Sequence, residues 1–214
     1  MELCDAIKQV RATRDFRQDK PAIGLVTTLI EAAIAAPTAS NWRGWRFVLI
    51  DDPGIMKRLV AMGASSTILR APMGLLVLYD NRTSNRAYLD HIQSAAAATQ
   101  NILLQAQELG LGCCWICRLP KRSRLKRLLR IAWCYDPVAY VALGFPQADQ
   151  KGKGPARKLA PVDVLSVNRF DFPDVRTDWL FRLKWFLQLR RQRMIRWVYF
   201  NGTDWMRRRI GAWL

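Results

Sequence analysis

Three stretches of this chain gather residue types that can do chemistry. In Ile7–Phe16 (IKQVRATRDF) Arg11 and Arg14 stand three positions apart. Guanidinium groups offer forked donors and keep their charge, so a pair at this spacing suits a phosphate dianion. Standing alone, the same stretch reads as the solvated basic end of a helix. Ala36–Val48 (APTASNWRGWRFV) brings Pro37, Thr38, Ala39, Asn41 and Arg43 into one loop whose short side chains let a ligand approach the backbone. In Gln100–Ile116 (QNILLQAQELGLGCCWI), Gly110 and Gly112 punctuate an apolar pattern shortly before Cys117. A helix stop ahead of a core strand accounts for that stretch without any ligand.

Several other chemistries fall away. His91 is the only histidine, so neither a Ser-His-Asp triad nor a multi-histidine metal site can be assembled, and inside a long helix it reads as a packed residue. Cys114-x-x-Cys117 lacks a second ligand pair and sits in a strand pattern, which favours buried free thiols over zinc or thioredoxin-like redox work. No G-x-G-x-x-G follows a strand, so there is no Rossmann dinucleotide site. Asp90 reads as an ordinary surface or interface carboxylate.

These residues need a frame. Pro21–Ala36 has proline at a helix start and apolar residues on more than one face, a buried helix that must stop before Pro37. Arg46–Ile50 and Gly74–Asp80 are short apolar runs bounded by Pro, Gly and Asp, the pattern of central strands, with a crossover helix over Pro53–Met62 between them. Ala87–Leu109 is a long central helix; Cys113–Cys117 is a third strand, Lys121–Ile131 a basic helix and Tyr140–Phe145 a fourth strand. With a helix ahead of Pro21, the order predicts a mixed α+β sheet flanked by helices.

Half of the 214 residues are hydrophobic and 24% are charged, which fits one compact domain with an appendage and excludes a disordered chain. Lys plus Arg outnumber Asp plus Glu by 34 to 17, a net charge of +17 that calls for acidic partners. The N-terminus has no apolar signal region and the five cysteines are odd in number, so the expectation is a cytoplasmic protein with reduced thiols. No apolar run is long enough to span a membrane. The character changes near Phe172-Pro173: residues 171–214 hold five of the nine tryptophans and a net charge of +6. We therefore divide the chain into residues 1–170 and an extension, 171–214.

Read together, the three stretches resemble the nitroreductase-like flavoprotein family. Ile7–Phe16 is similar to its opening Arg-Arg-Ser-x-Arg-x-Phe, with Val10 in place of the first Arg and Ala12 in place of Ser. Ala36–Val48 is similar to Ala-Pro-Ser-x-x-Asn-x-Gln-Pro-Trp-x-Phe, with Arg43 where the family has Gln and Gly44 where it has Pro. Gln100–Ile116 is similar to Gln-Asn-Leu-Leu-Leu-Ala-Ala-x-x-Leu-Gly-Leu-Gly-x-x-Trp-Ile, and Gly144-Phe-Pro146 with Arg157-Lys158 is a weaker fourth match. The resemblance implies an intertwined homodimer with FMN at its interface and NADH or NADPH as electron donor. It implies a phosphate held by Arg11, Arg14 and Arg157, a ring touched by Pro37, Thr38 and Ala39 and hydrogen-bonded by Asn41, with Arg43 beside it and the Cys117 main chain at the redox-active nitrogen. Gly112 would permit the close approach. No catalytic acid or base and no metal are implied. A non-catalytic scaffold of the same fold, serving as a membrane-surface or anion-binding partner protein, is the competing reading.

The resemblance does not reach the extension. Thr177–Phe200 places Trp179, Leu180, Leu183, Phe186, Leu187, Met194, Trp197 and Val198 within about one third of a helical circle, with most arginines outside it. Trp185 and Leu189 fall outside that sector. Such a helix suits an anionic membrane surface on the cytoplasmic side, or the partner subunit; no nucleic-acid motif accompanies the charge, so nucleic acid is not an expected partner.

Overall fold

In a computed structural model, which describes residues 2–83, 85, 87–147, 164–166, 168 and 179–201, the elements follow the order that periodicity suggests. Helices α1 (Leu3–Gln9) and α2 (Ile23–Ile34) come first, and α2 ends two residues short of the position that Pro37 restricts. A single 3-10 turn, Ala39–Asn41, leads into β1 (Trp45–Ile50). Helix α3 (Pro53–Ala61) starts on a proline, with the Asp52 carboxylate accepting from the Gly54 N–H at 2.6 Å. A 3-10 turn, Ser66–Arg70, precedes β2 (Met73–Asp80). Helix α4 (Asp90–Glu108) closes with Gly110 at φ 69° while the Leu111 N–H returns to the Ala106 carbonyl at 2.8 Å. Then come β3 (Gly112–Ile116), α5 (Arg122–Leu129), β4 (Tyr135–Gly144) and α6 (Trp179–Asn201).

The sheet corrects one expectation. Its order is β1-β2-β4-β3 and every ladder in it is antiparallel, so it is not mixed. Strands β2 and β3 do run in the same direction on either side of α4, but β4 enters between them, antiparallel to both. Among the described residues the only parallel pairing is an isolated bridge, Ala12 with Cys113.

Two apolar layers sandwich the sheet. The odd residues of β2, from Met73 to Tyr79, share a core with α2 and α4, while Leu76 and Leu78 pack with α3, the Ser66–Arg70 turn and α5. All eight residues of β2 are buried, as befits a strand covered on both faces. Strand β4 starts five residues earlier than the apolar run suggests because a bulge between Val77 and Leu78 accommodates Val138, and Pro137 lies where β4 has only β2 beside it.

By its contacts the chain divides into Met1–Lys153 and Gly154–Leu214; the change of character near Phe172 lies outside the described residues, as do Arg157, Lys158 and Trp205–Leu214. Helix α6 overlaps the Thr177–Phe200 stretch from Trp179 onward. Its exposed apolar residues include Trp185 and Leu189 as well as Trp179, Phe186 and Leu187, so they spread over more than half of the helical circle instead of keeping to one third of it. No helix among the described residues is long and apolar enough to cross a membrane.

Candidate active site

The loop after α2 is tied down at four points. Ser40 and Asn41 both adopt left-handed backbone, φ 51° and 55°, which folds the loop back so that the Trp42 N–H reaches the Ala39 carbonyl at 3.0 Å. The Ala39 N–H donates to Ser94 Oγ at 3.0 Å, and that hydroxyl donates to the Asp90 carbonyl at 2.9 Å, joining the loop to the first turn of α4. Tyr79 donates its hydroxyl to the Trp42 carbonyl. The Asp80 N–H meets the Gly44 carbonyl at 3.0 Å, an approach that depends on glycine, since a Cβ there would lie 2.8 Å from the Tyr79 ring.

Between this loop, the end of β2 and the start of α4 lies a cleft of about 120 Å³. The loop contributes Ala39, Ser40 and Trp42; β2 and the residues after it contribute Tyr79, Arg82 and Thr83; α4 contributes Asp90, His91 and Ser94. Arg82 is held by Asp80, a buried carboxylate, through Nη2 at 2.6 Å and Nε at 3.0 Å. The hydrogen bonds from Arg82 outweigh burial and hold Asp80 below the usual carboxylate range. Behind His91, Asp136 receives Arg122 at 2.8 Å, Lys126 at 3.0 Å and Asn81 at 3.1 Å. Its Oδ2 lies 3.7 Å from His91 Nε2. Two of the lining residues each carry a polar atom that is cut off from solvent and has no hydrogen-bond partner, Asp90 Oδ1 and His91 Nδ1.

A second cleft, of about 220 Å³, shares Trp42 and Arg82 with the first. Arg43 and Arg46 line it, and the Arg46 guanidinium sits 5.3 Å from the centre of the Tyr135 ring.

The remaining expected residues lie along β3, at the opposite edge of the sheet from β1. Residues 12–17 are extended, not the end of a helix: the Thr13 N–H bonds the Cys113 carbonyl at 2.8 Å and the Arg17 N–H bonds that of Phe145 at 2.9 Å. Arg11 Nη1 turns back onto the carbonyls of Lys8 (2.6 Å) and Val10 (2.9 Å), while Arg14 is exposed and its charge reaches the Cys114 thiol. Val10, the substituted position, is a core residue. Cys117 stands just past β3 and is exposed, which corrects the expectation of a buried thiol there. A Cβ on Gly112 would meet Thr13 at 2.8 Å, so glycine there permits the close approach of this chain's own extended segment.

The nitroreductase family model matches residues 7–65 and 60–145, about two thirds of the chain. The chain belongs to the nitroreductase family. It is 30% identical over 130 residues to an Archaeoglobus fulgidus protein named as an NADH dehydrogenase/NAD(P)H nitroreductase, covering 59% of this chain and 74% of that one. A Methanothermobacter thermautotrophicus protein of the same name is 27% identical over 150 residues, 68% of this chain and 78% of that one. The solved structure of an FMN-dependent nitroreductase from Clostridium difficile shares the fold with a TM-score of 0.67 at 22% identity, over 78% of this chain and 99% of the other.

This nitroreductase-family chain is thus an oxidoreductase whose expected site residues fall into two groups. Ala39 lines the first cleft and Arg43 the second, with Pro37, Thr38 and Asn41 in the same loop; Arg11, Arg14 and Cys117 stand at the far edge of the sheet. Of the residues lining the first cleft, motif reading missed Tyr79, Arg82 and Ser94 and set aside Asp90 and His91, as an ordinary carboxylate and a packed residue. Asp90 and Ser94 carried a signal, since polar residues four apart at a helix start share one face; Asp80-x-Arg82 closing a buried strand was another.

Proposed function

We propose that this chain is an FMN-dependent oxidoreductase that passes electrons from NADH or NADPH to a small organic acceptor such as a nitro compound or a quinone. The observation that carries the reading is the arrangement of the two groups within a nitroreductase-family fold. A phosphate-suited pair, Arg11 and Arg14, stands at one sheet edge and a pinned polar loop at the other, so a homodimer can set one protomer's arginines against its partner's loop. When bound, FMN supplies the reversible two-electron chemistry. The chain's own residues bind and orient: exposed Arg14 offers a charge that fits a phosphate dianion, Ala39 and its neighbours offer backbone beside the ring, and the loop's ties to Tyr79 and Ser94 keep that seat rigid. None of the relatives named above is described as a scaffold without chemistry, so the competing non-catalytic reading has no support from them.

The test is direct. Purified protein carries one yellow flavin per chain, and adding NADH or NADPH without oxygen bleaches it; a colourless preparation that ignores added FMN overturns the assignment. Arg14→Ala lowers flavin retention roughly tenfold or more, as expected for removing a charged donor from a dianion.

For residues 171–214 we propose peripheral attachment to an anionic membrane surface on the cytoplasmic side, supported by the exposed Trp179, Trp185 and Phe186 on a basic helix.

A further inference from the structure

The two positions at which the loop after α2 departs from the family's motif between Asn41 and Trp45, Arg43 for Gln and Gly44 for Pro, both line the second cleft, the one of about 220 Å³. Arg46 and Arg82 line it too, so three guanidinium groups border one small space. Among the described residues Asp80 is the only carboxylate in that lining, and it is taken by Arg82, through Nη2 at 2.6 Å, Nε at 3.0 Å and the backbone N–H at 3.0 Å. Asp136, one residue beyond Tyr135, is held by Arg122, Lys126 and Asn81. Arg43 and Arg46 are left without a counter-charge among the described residues.

The two are presented differently. Arg46 Nη1 donates to the Trp45 carbonyl at 2.6 Å, and the guanidinium stands 5.3 Å from the centre of the Tyr135 ring, so its orientation is set before any ligand arrives. Arg43 is exposed and makes no hydrogen bond or ion pair among the described residues, which leaves its forked donors for a ligand. A Cβ on Gly44 would come within 3.0 Å of the Trp42 ring, so glycine lets that indole stand where it borders both clefts. Half exposed, the indole offers a flat molecule a stacking surface that joins the arginine-lined cleft to the one lined by Ala39. Guanidinium forks without a counter-charge select an oxyanion, and an indole selects an aromatic body. From this geometry we infer that the second cleft binds the oxyanion of an acidic aromatic acceptor, a carboxylate or a phosphate ester, through Arg43 and Arg46, with the ring against Trp42. The inference rests on the oxidoreductase reading only for that molecule's role as electron acceptor; the binding itself does not depend on it.

The discriminating probes are 4-nitrobenzoate and 4-nitrobenzamide, which match in shape and differ in charge. Titrated against the full-length protein, with binding followed by ligand-observed NMR, the benzoate binds roughly tenfold or more tightly than the amide, the size expected of charge-assisted hydrogen bonds. Arg43→Gln, which restores the motif's own residue, removes most of that preference, and so does Arg46→Gln, each variant being checked for a native melting transition first. Arg127→Gln, the same loss of charge on an exposed residue of α5, leaves the preference intact. Should Arg46→Gln fail to fold, Arg43→Gln decides alone. Equal affinity for the two probes, no binding of either, a preference that survives a folded Arg43→Gln or Arg46→Gln, or one that Arg127→Gln weakens just as much overturns the inference. The ester 4-nitrophenyl phosphate separates the sources: tighter binding than the benzoate assigns a phosphate ester, binding no tighter assigns a carboxylate, and either supports the site. Flavin content and bleaching are measured on the same samples. A colourless chain that keeps the preference defeats the oxidoreductase reading alone, whereas a yellow, bleachable protein with no preference defeats only the oxyanion site.

Discussion

Asp136 is a carboxylate taken almost out of water and kept charged. Burial by itself would raise its pKa, but the hydrogen bonds from Lys126 and Asn81 and the charge of Arg122 prevail and hold it below its ordinary 3.8. A depressed native pKa contributes stability that is present above the unfolded value and is lost as pH falls through the native one. Asp136→Asn leaves Lys126 nearly buried without its counter-charge, so it costs about 3 kcal/mol at pH 7 and flattens the loss of stability below about pH 4; urea unfolding at pH 7 and at pH 3 reads both effects. The thiols make a second prediction. Burial pushes Cys113 up to about 12 and raises Cys114, while Cys4 and Cys117 are exposed. Iodoacetamide on the native protein at pH 8 should modify Cys4 and Cys117 and spare Cys113 and Cys114 until denaturant is added; rapid labelling of Cys113 would contradict the burial. The site was only partly legible at this scale. Arg14 and Ala39 could be found because a motif carries them. His91 could not, because what makes it interesting is a carboxylate 45 positions away on another element.

Elements were easier to foresee than their pairing. Strand β2 and helix α4 announce themselves through an unbroken apolar run and a long stretch free of proline and glycine, and both form where expected, to within three residues at each end. Only the part of β4 from Tyr140 onward is legible, since Pro137 argues against a strand and nothing local reveals that it lies where β4 has only β2 beside it. That β4 inserts between β2 and β3 is likewise a tertiary outcome, which is why a mixed sheet was expected and an antiparallel one forms. The extended segment 12–17 reads as a helix end for the same reason: its backbone hydrogen bonds are to residues a hundred or more positions later. Gly112 is where that docking is most exposed to test. Gly112→Val drives a branched side chain into Thr13, and overpacking of this kind costs about 1 to 3 kcal/mol. The variant should melt several degrees lower and lose FMN retention, because Arg11 and Arg14 move with the displaced segment. Normal flavin content in a folded Gly112→Val protein would separate the arginines from the phosphate.

At the scale of the whole molecule the question is what a net charge of +17 is for. Its larger part belongs to residues 1–170, so the extension is distinguished less by the amount of charge than by the company it keeps: ten basic residues with five tryptophans in 44 positions. Indole rings settle where a bilayer is half wet, and each cation near an anionic surface adds about 1 kcal/mol. In α6 the exposed apolar residues spread over more than half of the helical circle, and Arg190 lies over the Phe186 ring at 4.9 Å, so insertion on one clean face is not the mode to expect. Shallow seating among headgroups is, and it depends on charge more than a deeply buried face would. Sedimentation with phosphatidylserine-rich vesicles should therefore pellet the full chain at about 0.1 M salt and release most of it near 1 M, where the screening length drops from about 10 to 3 Å. Phosphatidylcholine vesicles should pellet little at either salt, and a chain lacking residues 175–214 should stay in the supernatant throughout. Equal, negligible pelleting of both forms would dismiss the membrane and leave the partner subunit as the surface this helix covers, to be sought as a loss of dimer in the shortened chain by analytical ultracentrifugation.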